Sequence, residues 1–263
     1  MEGKKALLAV SFGTSHRDTL EKTIAAAERD LAAAFPERKL YRAFTSGMIL
    51  RKLAREDGLQ IDDVPSALAR LAEEGYTDVL VQPTHIINGD EYDKLRALAA
   101  GQAGRFQRVA FGVPLLTEPE DYQACVSALL AELPPEEEGR AVVLMGHGTG
   151  HPANAAYALL EYVLHDWGRR DVLIGTVEGW PGLEEVLRRL AERPAVRRVE
   201  LRPLMLVAGD HAKHDLAGDG EDSWKSRLEG AGYETSCVLR GLGEYPGIRA
   251  LFVEHARRAA QSA

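Results

Sequence analysis

The chain repeats itself, and that repeat restricts its possible folds more than any other feature. Leu8–His16 (LAVSFGTSH) aligns without gaps with Val143–His151 (VLMGHGTGH) at an offset of 135 residues. Phe44-Thr45-Ser46-Gly47 then aligns with Thr176-Val177-Glu178-Gly179 at an offset of 132. Val79–Glu91 (VLVQPTHIINGDE) aligns with Val199–His211 (VELRPLMLVAGDH) at an offset of 120, with Pro83 on Pro203 and Gly89-Asp90 on Gly209-Asp210. Three matches in one order, with slowly drifting offsets, indicate two copies of one structural unit.

The periodicity identifies the unit. Strand-like runs alternate with amphipathic helical stretches throughout: Lys5–Val10, Asp18–Ala34, Lys39–Ala43, Ile49–Glu56, Val64–Glu74, Asp78–Gln82, Glu91–Ala100, Arg108–Val113 and Pro119–Leu133. Asp62 or Asp63 suits the N-cap of the Val64–Glu74 helix, and Gly75 its stop. Pro134-Pro135-Glu136-Glu137-Glu138-Gly139 reads as a linker. The alternation resumes beyond it with strands at Ala141–Leu144, Val172–Ile174, Val199–Val207 and Thr235–Leu239. Helices are expected at Ala153–Trp167, Gly182–Glu192, Asp222–Ala231 and Pro246–Ala260. Such alternation predicts an α/β fold of βαβ units with a parallel sheet in each half. The expected domains are residues 1–133 and 140–263, with a ligand cleft between their sheet rims.

Chemistry concentrates in the second copy. Metal-capable side chains lie beside glycine after three of its strands: His147 in MGHGT, Glu178 in GTVEG and His211 in VAGDH. Residues just past the strand ends of an open parallel sheet collect along one rim, where ligands bind. Two imidazoles and a carboxylate there make a three-ligand site with room for a further ligand on a divalent metal. Singly, each residue has an ordinary alternative: His147 as a helix cap, Glu178 as a solvated first-turn acid, His211 as a surface-loop histidine. Their equivalent positions after successive strands favour the joint reading. The first copy carries Phe12, Ser46 and Glu91 at the corresponding places.

Other groups read more simply. His151 and His214 are expected at helix starts or behind the ligands, and His85, inside an apolar run, as a hydrogen-bonded histidine in the core or at the rim rather than a ligand. Cys125 and Cys237 read as two buried thiols rather than a disulfide or metal pair. Ser11-Phe12-Gly13-Thr14-Ser15 is a glycine and hydroxyl turn at a helix start, suited either to binding an anion or to capping. It lacks the spacing of either nucleotide-binding glycine motif. The net charge of −8 argues against nucleic acid as the main partner. No run approaches the roughly 20 apolar residues of a membrane span, and Met1–Lys5 runs into strand-like Ala6–Val10 without a signal-peptide h-region. A cytoplasmic protein is therefore expected.

The residues as a set resemble the CbiK family of anaerobic sirohydrochlorin cobaltochelatases, within the class II chelatases. The likeness runs from end to end: KKALLAVSFGTS at the start, RAFTSGMILRKL at 42–53, HIINGDEY at 85–92, GVPLL at 112–116, MGHGT at 145–149, LMLVAGDH at 204–211, DSWK at 222–225 and GLGEYPGIRALFVEH at 241–255. The resemblance implies two Rossmann-like domains around a tetrapyrrole cleft, in which helices near the end of each half can pack on the other. It implies Co²⁺ and sirohydrochlorin as substrates, with no further cofactor. It also implies that His147 and His211 bind Co²⁺, that Glu178 completes the metal site, that His147 accepts a proton from the macrocycle, and that Glu91 acts from the other domain. Ser11, Gly13 and Thr14 are candidates for contact with the substrate, and Arg17, Arg42, Arg202 and Lys213 for pairing with its carboxylates. Nickel or iron as the metal, or a carrier that binds without inserting, are the alternatives. The oligomeric state is not legible.

Overall fold

A computed structural model describes residues 3–262. It resolves into two units, one of residues up to Thr117 together with those from Pro246 on, the other Glu118–Tyr245. In the first unit the order is β1 (Lys4–Ser11), α1 (Arg17–Lys22), α2 (Ile24–Ala34), β2 (Lys39–Phe44), α3 (Gly47–Asp57), β3 (Asp62–Asp63), α4 (Val64–Glu73), β4 (Tyr76–Pro83), α5 (Asp90–Ala100) and β5 (Arg108–Phe111). The second unit runs α6 (Pro119–Leu130), β6 (Arg140–Gly146), α7 (Ala155–Asp166), β7 (Val172–Thr176), α8 (Leu183–Ala191), β8 (Arg198–Pro203), a π-helical turn (Ala212–Leu216), α9 (Trp224–Gly230) and β9 (Glu234–Cys237). The last helix, α10 (Pro246–Ser262), returns to the first unit.

Both sheets are parallel. Their orders are β3-β2-β1-β4-β5 and β7-β6-β8-β9. Without the two-residue β3, the two orders are identical, and so are the registers. Ser11 pairs with Phe44 as Gly146 pairs with Thr176. Val10 pairs with Pro83 as Met145 pairs with Pro203. These are the partners that the offsets of 135, 132 and 120 require, so the repeat read in the sequence is a structural duplication.

Alternation along β1 covers both faces of the first sheet. Ala6, Leu8 and Val10 pack with Val64, Leu68 and Leu71 of α4 and Leu95 of α5. Leu7 and Ala9 pack with Leu31 of α2 and Val253 and Ala256 of α10. In the second sheet Ala141, Val143 and Met145 meet Val186 and Leu190 of α8 and Trp224 and Leu228 of α9. Strands β1, β4, β6, β7 and β8 are buried over most of their length, as parallel sheets covered by helices require, while β3, β5 and β9 at sheet edges are more exposed.

Three expectations are corrected. The division at 133/140 misplaces two helices: α6 belongs with the second unit, where it packs on α7, and α10 with the first, against α2, β4 and β5. Arg249 Nε donates to Asp30 at 2.6 Å, and His255 Nδ1 lies 3.2 Å from the Val113 carbonyl, fixing α10 there. The helix expected over Asp18–Ala34 breaks at Thr23, whose hydroxyl donates to the Thr19 carbonyl at 2.5 Å and competes with the helical ladder. The strand expected over Val199–Val207 stops at Pro203, which has no N–H to extend pairing. The Asp63 cap holds, its carboxylate accepting from Ser66 N at 2.8 Å.

Candidate metal centre

Each candidate ligand stands where a strand of the second sheet gives out. β6 ends at Gly146, where a Cβ would lie 2.5 Å from the Tyr157 ring. His147 follows, and then Gly148 turns at φ +79. A Cβ on Gly148 would come within 2.6 Å of Gly179 N and 2.7 Å of Thr176 Cβ, so glycine is needed for both conformation and space. The β6–β7 ladder then continues past the strands. Val177 N donates to Gly146 O at 3.0 Å, and Glu178 N to His147 O at 2.8 Å. These bonds hold the His147 and Glu178 backbones side by side. His211 comes eight residues after the end of β8, at the N-cap of the π-helical turn.

The three side chains converge. One ligand atom from each of His147, Glu178 and His211 lies within 4.8 Å of the others. The imidazoles meet edge to face, with centroids 4.8 Å apart and planes at 87°. His147 Nδ1 is 3.9 Å from Glu178 Oε2. Bonds of about 2.1 Å to one tetrahedral ion would draw the ligand atoms to about 3.4 Å apart, a contraction within rotamer reach for side chains that are 43, 58 and 38% exposed. His147 Nδ1 lies 2.8 Å from the Gly148 carbonyl, and His211 Nδ1 lies 2.5 Å from Asp215 Oδ2. Both partners are acceptors, so each Nδ1 carries the proton and each Nε2 keeps its lone pair for a metal. Two imidazoles and one carboxylate suit a borderline divalent ion that must later be given up.

The remaining candidates belong to the first unit. Glu91 is in the first turn of α5, with Oε2 buried and without a hydrogen-bond partner and Oε1 4.0 Å from Lys94 Nζ. Ser11 is buried, and its Oγ is bonded to Thr84 Oγ1 at 2.7 Å. Gly13 turns at φ +104, and a Cβ there would lie 2.6 Å from the Phe44 ring. Thr14 Oγ1 accepts from His16 N at 3.2 Å, a local turn bond rather than the expected helix cap, since α1 has His16 at its N-cap and no side-chain cap bond. Ser15 Oγ is buried and has no partner.

Of the four cations considered for substrate carboxylates, three are already engaged. Arg42 Nε donates to Glu28 at 2.7 Å and Arg202 Nε to Glu200 at 2.6 Å, both largely buried, while exposed Arg17 pairs with Asp57 at 2.9 Å. Lys213, in the π-helical turn beside His211, has no ion pair among the described residues. His151 Nδ1 accepts from Ala153 N at 3.1 Å, at a helix start as expected. Both thiols are free, and burial pushes Cys125 up to about 12. The sequence reading missed two features. Asp215 lies four residues past His211, in a stretch with neither strand nor helix periodicity. His85 lies at the rim as expected, but its two buried ring nitrogens lack the hydrogen-bond partners expected of it, and burial lowers its pKa to about 4.

A parallel α/β unit with two imidazoles and a carboxylate at the carboxyl ends of its strands defines a candidate divalent-metal site on a doubly wound fold. The fold is shared with solved proteins. The SirB protein of Bacillus subtilis, solved with Fe³⁺, superposes with a TM-score of 0.68 at 17% identity, covering 98% of this chain and 97% of that one. A cobalt complex of SirB from Bacillus subtilis subspecies spizizenii gives 0.63 at 16% identity, covering 98% and 96%. The particular family follows from sequence. The family model for cobalt chelatase (CbiK) matches residues 5–261, and the chain belongs to that family. It is 49% identical over 256 residues to the sirohydrochlorin cobaltochelatase of Salmonella typhimurium, covering 97% of this chain and 96% of the relative. It is 38% identical over 257 residues to the sirohydrochlorin cobaltochelatase CbiKC of Nitratidesulfovibrio vulgaris, covering 96% and 89%.

Proposed function

We propose that the protein inserts Co²⁺ into sirohydrochlorin, releasing two protons, at the early cobalt-insertion step of anaerobic cobalamin synthesis. The convergence of His147, Glu178 and His211 within 4.8 Å, in a chain of the cobalt chelatase family, carries this reading.

The chemistry requires a metal held loosely and groups that take up the two pyrrole protons. Three protein ligands leave positions on Co²⁺ for entering pyrrole nitrogens. As those bonds form, the protein bonds are replaced one at a time, and an imidazole that has released the ion is a base of suitable strength near neutral pH. His147 is assigned that proton. Glu91, with a buried and unbonded carboxylate oxygen, is assigned to the macrocycle as a second acceptor. The Ser11–Ser15 turn, with Gly13 and Thr14 at its centre, is assigned to a substrate carboxylate through its backbone N–H groups. The Ser11 hydroxyl itself remains with Thr84.

The test is an anaerobic absorbance time course with sirohydrochlorin and Co²⁺, run beside His147→Ala. The expected result is a fast shift to the cobalt-complex spectrum that the variant lacks. A wild-type rate equal to the protein-free control would overturn the reading, and the same assay with Ni²⁺ and Fe²⁺ ranks the metals.

A further inference from the structure

The two imidazoles of the metal centre are not held alike. His147 Nδ1–H donates a hydrogen bond to the neutral carbonyl of its own neighbour, Gly148, at 2.8 Å. His211 Nδ1–H donates a hydrogen bond to a carboxylate, Asp215 Oδ2, at 2.5 Å. A hydrogen bond to an ionised acceptor is about twice as strong as one between neutral groups. It also leaves more electron density on the opposite nitrogen, raising the basicity of the ligand atom.

The backbone is shaped for this contact. Asp215 lies in the π-helical turn Ala212–Leu216, closed by Ala217 N donating to Ala212 O at 3.2 Å. Single π turns are uncommon and recur at functional sites. Asp215 stands four residues after His211, and its carboxylate meets the His211 ring across this turn. The turn ends at Gly218, where any Cβ would lie 2.3 Å from the His214 carbonyl oxygen. The duplicate position sharpens the point. Extended four residues, the offset of 120 sets Asp215 on Leu95, which is fully buried in the first unit's core against α4. One copy uses the position for packing, and the other turns a carboxylate onto a histidine.

We propose that Asp215 is a positioning residue that makes His211 the stronger and more persistent of the two imidazole ligands for Co²⁺, so that His147 is the one whose bond yields first to the macrocycle. This deepens the metal site proposed above and rests on it. The Asp215 contact holds the His211 ring in place on the ion, while His147, freed from the ion, presents the Nε2 lone pair that takes up a pyrrole proton. Asp215 touches neither substrate, and its effect passes through the orientation and basicity of His211. With side chains 38 and 45% exposed, the pair is partly screened by water. The effect therefore belongs near the lower end of the 10–100-fold range typical of groups behind a metal ligand.

The test is a Co²⁺ titration of the full-length, substrate-free protein, read by calorimetry and by the visible bands of bound Co²⁺. The chains compared are wild type, His147→Ala, His211→Ala, Asp215→Ala, Asp215→Asn and the two doubles pairing Asp215→Ala with each histidine variant. Circular dichroism establishes that each is folded. Asp215→Ala is expected to weaken Co²⁺ binding by about 10-fold and to shift the visible bands. Asp215→Asn keeps an acceptor without the charge and is expected to fall between Asp215→Ala and wild type. The full loss should persist in the His147→Ala background and vanish in the His211→Ala background. An Asp215→Ala affinity within twofold of wild type, or the same loss with His211 absent, would overturn the role of Asp215 alone. Unchanged Co²⁺ affinity in both single histidine variants would bring down the metal site and this inference with it.

Discussion

The rims of the two sheets are the same construction put to different uses. Gly13 and Gly148 occupy equivalent positions, and both turn at positive φ. The missing Cβ of Gly13 makes room for Phe44, and that of Gly148 makes room for Thr176, which is the residue equivalent to Phe44. On this shared backbone the side chains part. Phe12 stands where the second unit has His147. Ser46 is buried and accepts from Ile49 N at 3.4 Å as the cap of α3, where the second unit has half-exposed Glu178. Glu91 stands in place of His211. A duplicated rim can gather metal-capable side chains in one copy only, because the turn is set by glycines and ladder bonds while the side chains beyond the strand ends carry little of the fold.

The most severe way to break this comparison is to remove the imidazoles. His147→Ala and His211→Ala are each expected to lose most cobalt insertion while keeping wild-type circular dichroism and Tm, because both side chains sit outside the core. Near-normal insertion in both would mean that the second rim is not the working one.

The glycine pair sharpens the comparison. Gly13→Ala and Gly148→Ala are each expected to lower stability by about 1–3 kcal/mol, measured by denaturant unfolding. Only Gly148→Ala should also weaken Co²⁺ binding, because its Cβ would push on the backbone of Gly179, next to Glu178. Equal Co²⁺ affinity in the two variants would detach the turn from the metal centre.

His85 provides a pH signature for the first rim. Burial holds its folded-state pKa at about 4, below the ordinary value of 6.5. The unfolded chain therefore takes up the proton first as pH falls. This contribution to stability is complete above pH 6.5 and is lost progressively down to about pH 4, by about 3 kcal/mol in all. His85→Leu should flatten that stretch of the stability curve. An unchanged slope would mean that the imidazole is not desolvated in solution.

The arginines separate a buried pair from an exposed one, and the exposed one carries the smallest effect. Arg42→Ala leaves the buried Glu28 carboxylate without its partner and is expected to cost about 3 kcal/mol. Arg17→Ala breaks a pair whose arginine is 69% exposed and should change stability by less than about 1 kcal/mol. Insertion rates at saturating sirohydrochlorin should survive Arg17→Ala. A large rise in KM there would return Arg17 to the role of carboxylate partner.

The sequence by itself determined the strand and helix alternation, the duplication with its registers, and the choice of His147, Glu178 and His211 as the three side chains that come together. These are local or quasi-local signals. Periodicity marks an element, glycine beside a strand end marks a rim turn, and a parallel sheet places successive strand ends on one edge whatever lies elsewhere. Only the tertiary structure decided which sheet α6 and α10 cover, since an amphipathic helix records that it has an apolar face but not which face of which sheet it meets. The same holds for Arg42 and Arg202, adjacent to the motifs in sequence yet bound to Glu28 and Glu200, and for His85, whose burial depends on residues far along the chain. Asp215 depends on the rarest local geometry in the molecule. A π turn has no apolar period to mark it, and the meeting of Asp215 with His211 exists only once the loop after β8 has been wound and closed at Gly218.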